Sequence, residues 1–434
     1  MKKVLSTVAA LGLVAGLATT ASAVEFKMSG QYLVEGIYMN GGDGGGVAVN
    51  ETAGTDNTSD SWYQHTFVVR PTMKVNDKIS MLGDIRLADN TIWGGQTGGD
   101  VEGLSPGSND VYVHQLYMDY ASEIGKIRIG RTSAGPYGTN FLNTDIRQNR
   151  IMWWPSFMPK PWNLLFFTAK LTENENVDGT TSATDSDRYE ARLGYTTADH
   201  DFNVRYIFLN DNSGITERQV INPYAKMKFD NYFVNTELHY NFGDQTATVD
   251  YDSLAAMLEV GGKFDALTVS GMYFYAEGDD NTADSDNNQA LFGTTKATGT
   301  GTGTEFEPLY ILTGRTTGLL NPDQNTANSN MATAGVHAFI LGADYAVSNQ
   351  LTLHAAVAYA QADEATQTGG ANYAGRDDEY GWEYNIGAAY KLLDNLTYEA
   401  HFGYLDTGDF FKSTATTADT DNVYLLTHSL TMTF

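Results

Sequence analysis

Alternation of apolar and polar residues is clearest at Asn422–Phe434. Large apolar side chains fall at every second position from Tyr424 to Phe434, with His428 as the exception, and small polar residues fill the alternate positions from Thr427 to Thr433. A strand turns successive side chains to opposite faces, so this segment predicts one apolar and one polar face. In a bilayer the apolar face can meet lipid, provided that the sheet closes and leaves no backbone edge unpaired.

The same alternation recurs along most of the chain. In 201–210, for example, Phe202, Val204 and Tyr206 alternate with more polar neighbours. The pattern predicts eighteen strands, near 25–39, 62–75, 78–89, 110–121, 124–131, 147–155, 161–173, 187–197, 201–210, 220–229, 231–242, 254–264, 266–277, 334–346, 350–361, 380–392, 396–406 and 422–434. The pattern is poorest in 147–155, and without this strand the next even count is sixteen.

Long and short connections between these strands alternate strictly. An up-and-down barrel with short periplasmic turns and long extracellular loops explains this asymmetry, whereas a sandwich does not. We therefore predict an all-β transmembrane antiparallel barrel of eighteen strands, or alternatively sixteen. The longest connection, 278–333, is expected to be a partly mobile outer loop, because loops of this length are usually either functional or disordered. Part of it, Tyr310–Leu312, is a candidate for folding back over the mouth.

The first residues form a secretory signal. Lys2 and Lys3 precede an apolar run, and Ala21-Ser22-Ala23 supplies a small-residue cleavage pattern. A transmembrane anchor is the alternative, but the apolar run is short against the roughly 20 residues of a spanning helix. We expect residues 1–23 to be removed and residues 24–434 to form a single barrel domain.

Composition narrows the class further. The mean hydropathy of −0.32 fits a membrane protein only if alternating strands cross the bilayer. The chain has no cysteine, which excludes disulfides and thiolate metal sites. The net charge of −27 argues against nucleic acid as a partner and fits a surface that meets divalent cations bridging lipopolysaccharide.

Motifs for catalysis or metal binding are weak. Residues 103–107 read Gly-Leu-Ser-Pro-Gly, but a serine-hydrolase elbow needs a strand before it and a helix after it. The histidines are scattered singly, so we predict no zinc site. Because no catalytic motif lies in the structural context that it requires, we also predict no cofactor and no enzymatic activity. Acidic residues at 250–252 and near Asp279 leave weak calcium binding at outer loops open, although the full calcium-loop pattern is absent.

The best candidate for a pore constriction is the Gly- and Pro-containing segment 130–138 together with Arg147 and Arg150. Glycine and proline suit an inward-turning loop, which we place near 132–150. Charge costs about 2–4 kcal/mol on a lipid face at mid-depth, so strand arginines should point into the lumen. The pore-lining candidates are Arg131, Tyr137, Arg147 and Arg150, followed by Arg86, Arg128, Arg188, Arg192 and Arg205. Simple pairing of these arginines with wall carboxylates is the alternative.

The signal, the Val24-Glu25-Phe26 start, the Gly130-Arg131 segment and the terminal Phe434 resemble Gram-negative outer-membrane porins. The stretch from Gly381 to the C-terminus is similar to eighteen-stranded porin-like and alginate-export-like channels. This resemblance implies outer-membrane lipid as the surroundings, homotrimers in many members and barrel assembly machinery that reads the C-terminal strand. The inward loop carries only Asp145 as a nearby acid, which departs from the general-porin pattern.

Three functions are consistent with such a barrel. The first is a water-filled porin for passive diffusion of small hydrophilic solutes, with a mild anion preference. The second is a structural or scaffold barrel, or a surface protein, whose lumen is occupied. The third is a barrel enzyme of the lipase kind, which would need Ser and His on the lipid face; His428 is the one histidine in a well-patterned lipid-facing series, and no serine partner can be placed.

Overall fold

The computed structural model describes residues 24–40, 42–43, 46–47, 59–93, 111–141, 147–173, 185–211, 217–281, 284–288, 290, 306–314, 333–365, 377–411 and 422–434. The expected signal at 1–23 and the Gly-Leu-Ser-Pro-Gly motif at 103–107 lie outside these residues. Within the described part, no helix has the length and apolar character needed to cross a membrane.

Eighteen long strands, labelled β1 to β18 in chain order, make up the described structure. They are Glu25–Met39, Asp60–Lys74, Ile79–Ile92, Tyr112–Ser122, Gly125–Ser133, Arg147–Pro155, Trp162–Thr172, Ser186–Thr196, His200–Asp211, Glu217–Phe229, Tyr232–Asp244, Asp250–Phe264, Leu267–Ala276, Val336–Ala346, Leu351–Gln361, Glu379–Leu393, Leu396–Thr407 and Val423–Thr433. A two-residue strand, Asp286–Asn287, pairs with the start of β12.

The long strands form one closed antiparallel sheet. Each pairs with its neighbours in the chain, and β1 pairs with both β2 and β18, so no long strand is left as an edge. The segment with the poorest pattern, Arg147–Pro155, is β6 and pairs with β5 and β7. The eighteen-stranded prediction is therefore confirmed, and the sixteen-stranded alternative is wrong.

Exposure follows the predicted alternation. In β8, Tyr189 and Leu193 are 47% and 38% exposed on the outer surface, whereas Arg188 and Arg192, each one position earlier, are 2% and 8% exposed. An aromatic and aliphatic outer face with a polar inner face is typical of a membrane barrel. The inner face is also buried, because segments of two long connections fill part of the lumen.

Short turns join the strands at one end of the barrel. Asp230 and Asp265 begin two-residue turns with φ of 53°, a conformation that aspartate tolerates in tight hairpins. The connections at the other end include the longest one, which separates β13 from β14.

An apolar core lies inside the barrel rather than between two sheets. Its buried members come from the inner faces of β1 and β12–β18 and from two segments that enter the lumen, and they include Ile37, Phe141, Met257, Phe274, Phe306, Leu309, Ile311, Leu312, Val336, Ile340 and Leu405. Apolar packing thus fills part of the lumen on the side of β1 and β12–β18, and the buried arginines lie on the other side.

Candidate pore constriction

The connection after β5 turns into the barrel. Its described part, residues 134–141, is named here the first inward segment. Tyr137 and Phe141 are fully buried, and the Tyr137 hydroxyl donates to the Asn222 carbonyl oxygen at 2.6 Å. Arg192 donates to the Ala134 carbonyl oxygen at 3.3 Å. This segment therefore reaches from β5 to β8 and β10, while residues 142–146 of the predicted inward loop lie outside the described residues.

Tyr137 is the centre of an arginine–aromatic cluster. The guanidinium of Arg205 lies 4.1 Å and that of Arg192 4.9 Å from the Tyr137 ring centroid, and the Tyr224 ring packs edge-on at 4.9 Å. Such cation–π contacts hold both components in fixed positions. Burial raises the pKa of Tyr137, so its hydroxyl stays protonated and remains a hydrogen-bond donor.

Gly138 and Thr139 bring the first inward segment against the wall at Glu237. The Thr139 backbone N–H and hydroxyl both donate to Glu237 Oε2, at 2.6 and 2.8 Å, and Asn222 donates to the other oxygen at 3.1 Å. Gly138 has a φ of 62°, and a Cβ there would lie 2.2 Å from Glu237 Oε2. Only glycine permits both this backbone conformation and this close approach.

Residues 306–314, from the longest connection, form the second inward segment. The N–H groups of Tyr310, Ile311 and Leu312 donate to the Glu383 carboxylate at 2.9, 2.8 and 2.7 Å. Successive backbone N–H groups around one carboxylate form an anion-binding concavity. The Tyr310 hydroxyl also bonds to His401 Nδ1 at 2.7 Å, and burial raises the pKa of Tyr310 to about 12.

The two inward segments touch each other. The Phe141 and Phe306 rings meet at a centroid distance of 5.2 Å, and both pack on Phe274 of β13, at 5.8 and 5.4 Å. Edge-to-face aromatic contacts of this kind add stability beyond simple burial. The narrowing of the lumen is therefore built by two connections and not by one.

Five buried arginines line the inner face beside the first inward segment and are named here the basic wall. They are Arg150, Arg188, Arg192, Arg205 and Arg218, on β6, β8, β9 and β10. Glu190 forms ion pairs with both Arg188 and Arg192. Among the described residues, one carboxylate is thus shared between two of the five guanidinium groups of the wall.

Two other predicted arginines point inward but pair locally. Arg128 makes a two-point contact with Asp119, at 2.6 and 2.8 Å. Arg86 bonds to Asp89 at 2.6 Å and lies 3.6 Å from Asp84. Their charges are compensated by neighbouring wall carboxylates, which is the alternative raised from the sequence.

The placement of Arg131 in the pore lining is wrong. Arg131 is exposed and lies on the outer face with Ile129, three positions from the inward Arg128. Strand alternation puts residues an odd number apart on opposite faces. Arg147, at the first position of β6, is half-buried and its Nε is buried, so its place in the pore lining stays a prediction.

A cavity of about 350 Å³ opens on the opposite side of the lumen. Glu35 of β1 and Glu399 of β17 both pair in register with Ser429, so the three residues form one row across adjacent strands. Glu307 and Tyr310 of the second inward segment complete the lining. Because β17 is nine strands from β8 in a barrel of eighteen, this acidic side faces the basic wall.

Sequence reasoning missed several of these residues. The predicted strand starts at 220 and does not include Arg218, whereas β10 starts at Glu217. Alternation of Arg218, Val220 and Asn222 was the available signal. Alternation places Glu237 and Glu383 on polar strand faces, but their contacts with the inward segments had no local signal, since those partners lie 98 and 71–73 residues away.

Metal binding receives no support within the described residues. No group of three His, Asp or Glu side chains there is arranged to hold a metal ion. Asp252 accepts the Tyr240 hydroxyl at 2.9 Å, and the Asp279 carboxylate accepts the N–H of Asn281 at 3.1 Å. Weak calcium binding at the outer loops therefore stays a prediction.

A closed eighteen-stranded barrel, narrowed from within, is the fold of outer-membrane porins. No protein family model and no curated protein sequence matches the chain. Solved structures are similar: OpdL of Pseudomonas aeruginosa has a TM-score of 0.56 at 11% identity, over 94% of this chain and 99% of that chain. OccK5 (OpdH) of the same organism gives 0.55 at 10%, over 94% and 98%. A BenF-like porin from Pseudomonas fluorescens Pf-5 gives 0.54 at 11%, over 94% and 99%.

Proposed function

We propose that the chain is a porin of the Gram-negative outer membrane that lets small hydrophilic solutes diffuse through a water-filled lumen, with a mild preference for anions. Barrels of this size leave room for an aqueous channel. The proposal does not include catalysis. The outer face supports the membrane location, because aromatic and aliphatic side chains dominate it.

The basic wall is the observation that carries the anion preference. Its guanidinium groups lie beside the first inward segment, where the lumen is narrow, and Glu190 is shared between two of them. Charge lining a narrow passage sets the selectivity of a pore. The chain is acidic overall, but the charge that a solute meets at this level differs from the charge of the whole molecule.

Charge is also segregated across the lumen. Glu35 and Glu399 lie on the side opposite the basic wall, with Glu307 from the second inward segment. A solute passing between these sides meets a transverse electric field. The acidic side of this field comes from the barrel wall and the second inward segment, and not from the first inward segment.

Liposome swelling tests this proposal. Vesicles that contain the purified barrel should swell in isotonic small sugars, and faster in small organic anions than in organic cations of equal size. Vesicles prepared without protein are the control. Absence of swelling with every solute would contradict a diffusion channel.

A barrel with an occupied lumen is the second candidate, and the internal apolar core favours it. Phe306, Leu309, Ile311 and Leu312 pack on the inner wall as in a protein interior. If this packing closes the lumen, the purified protein will insert into bilayers without conducting. Lipopolysaccharide, the barrel assembly machinery and a homotrimeric state remain proposals, and the trimer is tested by the mass of the detergent-solubilised complex.

A further inference from the structure

The two inward segments are anchored in the same chemical way. Glu237 receives the N–H and the hydroxyl of Thr139, and Glu383 receives three consecutive N–H groups of the second inward segment. Both glutamates are almost completely buried, at 1% and 0% exposure. Hydrogen bonds to a charged acceptor are stronger than neutral ones, so each carboxylate is a firm attachment point.

Wall packing alone does not account for a carboxylate at these positions. Glu383 pairs in register with Ala358 and Leu405, both buried and apolar. A buried carboxylate without donors is strongly unfavourable. The second inward segment supplies those donors, so the glutamate and the segment each require the other.

The contact between Phe141 and Phe306 joins the two anchored segments. Both rings are buried, and both pack on the ring of Phe274. Movement of one segment away from the wall would break this contact and remove a packing partner from the other. The two attachments are thus mechanically connected through one aromatic cluster.

We propose that Glu237 and Glu383 are positioning residues that set the width of the channel by holding the inward segments against the wall, and that the Phe141–Phe306 contact couples them. The inference rests on the proposed channel function. Loosening either attachment widens the lumen and makes it fluctuate. Because of the coupling, loosening one attachment also loosens the other segment.

Single-channel recordings of Glu237→Gln and Glu383→Gln test the width. Glutamine keeps one acceptor oxygen and turns an N–H donor toward the segment's own N–H groups. Each variant should show a higher mean conductance with added sublevels. Because the attachments are coupled, the double variant should exceed the single variants by less than the product of their separate increases. Conductance unchanged in both single variants would overturn the inference.

Glu259→Gln is the matched control. Glu259 is a wall glutamate of β12 that accepts a hydrogen bond from Asn235 at 2.8 Å and touches neither inward segment in the described structure. The Glu259→Gln variant removes the same charge from the lumen but leaves both attachments intact, so the conductance of this variant should stay at the wild-type level. An equal increase in this control would show that lost charge, and not lost attachment, is the cause.

Thiol labelling gives a second readout that does not depend on conduction. The chain has no cysteine, so Leu312→Cys places a single thiol in the buried second segment. In folded barrels, Glu383→Gln should raise its alkylation rate about tenfold, as expected for losing about one charge-assisted hydrogen bond. Glu237→Gln, which acts on the other segment, should raise it to a smaller extent.

The two readouts separate the possible failures. If the wild type does not conduct but labelling responds to both glutamine variants, the channel proposal fails and the coupled attachment stands. If the wild type conducts and labelling is unchanged in both backgrounds, the attachment inference fails and the channel proposal stands. Heat-modifiable migration on gels verifies that each variant is a folded barrel.

Discussion

Phe434 lies over Gly30 at the seam where β18 meets β1. The two residues exchange backbone hydrogen bonds, from Gly30 N to Phe434 O at 2.9 Å and from Phe434 N to Gly30 O at 3.2 Å. A Cβ on Gly30 would lie 2.3 Å from the Phe434 ring and 2.6 Å from the Val68 carbonyl oxygen. The missing side chain of Gly30 therefore makes room for the aromatic ring that covers the seam, as aromatic rescue of strand glycines does elsewhere.

Gly30→Ala should destabilise the barrel, because the Val68 backbone cannot move aside without disturbing β2. Overpacking of this kind costs about 1–3 kcal/mol. Urea unfolding in lipid vesicles measures the change. Gly271→Ala is the control, since an added Cβ there meets nothing within 4 Å. Equal losses in the two variants would mean that the seam contact has no special role.

Gly138→Ala should displace the first inward segment. Gly138 and Gly135 both have positive φ, at 62° and 80°, so alanine strains both. The two positions differ in the room available for a side chain: a Cβ at Gly138 would meet Glu237, whereas one at Gly135 meets nothing within 4 Å. Gly138→Ala should therefore cost about 1–3 kcal/mol more in unfolding experiments and raise the conductance. Indistinguishable behaviour of the two variants would argue against the close approach to Glu237.

Neutralising the basic wall should weaken anion selectivity. The wall arginines are buried and act on a passing ion from a distance. A unit charge at roughly 10 Å contributes about 1–2 kcal/mol at an effective dielectric constant of about 20, so Arg150→Gln or Arg218→Gln should lower the chloride-to-potassium permeability ratio severalfold. Reversal potentials in a salt gradient measure this ratio. Arg131→Gln, on the outer face, is the control and should leave the ratio unchanged. A shift in the control alone would place the selectivity elsewhere.

Glu277, just after β13, should make stability depend on pH. Burial raises the pKa of Glu277, and Asp363, Asp252 and Asp280 raise it further, although the N–H of Leu254 opposes this. A raised carboxyl pKa means that the folded state binds the proton more tightly. The loss of stability caused by ionising Glu277 is therefore absent at low pH and complete above the folded pKa. Glu277→Gln should raise the Tm at about pH 8 and change it little at about pH 4. A larger gain at the acidic pH would reverse this sign.

Much of the barrel was predictable because alternation acts locally. Phe202, Val204 and Tyr206 reveal their face without any knowledge of the partner strands. Strand parity also places Arg131, three positions from Arg128, on the outer face, so residue type alone does not predict the face of a charged side chain. Arg150, Arg188, Arg192 and Arg205 were assigned inward correctly, because a charged side chain on the lipid face is costly.

The construction of the narrow region could not be predicted in the same way. Glu383 meets its partners 71–73 residues earlier, and Phe141 meets Phe306 through two separate connections. Such contacts depend on how the closed sheet brings distant strands to one level of the lumen. Apolar residues within the longest connection, such as Leu309 and Ile311, gave the one local hint that it folds back inside.

Single-channel recording of the wild-type protein in a planar bilayer, under a potassium chloride gradient, tests the central claim most directly. The account predicts discrete conductance steps and a reversal potential displaced toward that of chloride, because the basic wall lines the narrow region. Insertion without any conductance, or a reversal potential displaced toward that of potassium, would contradict it.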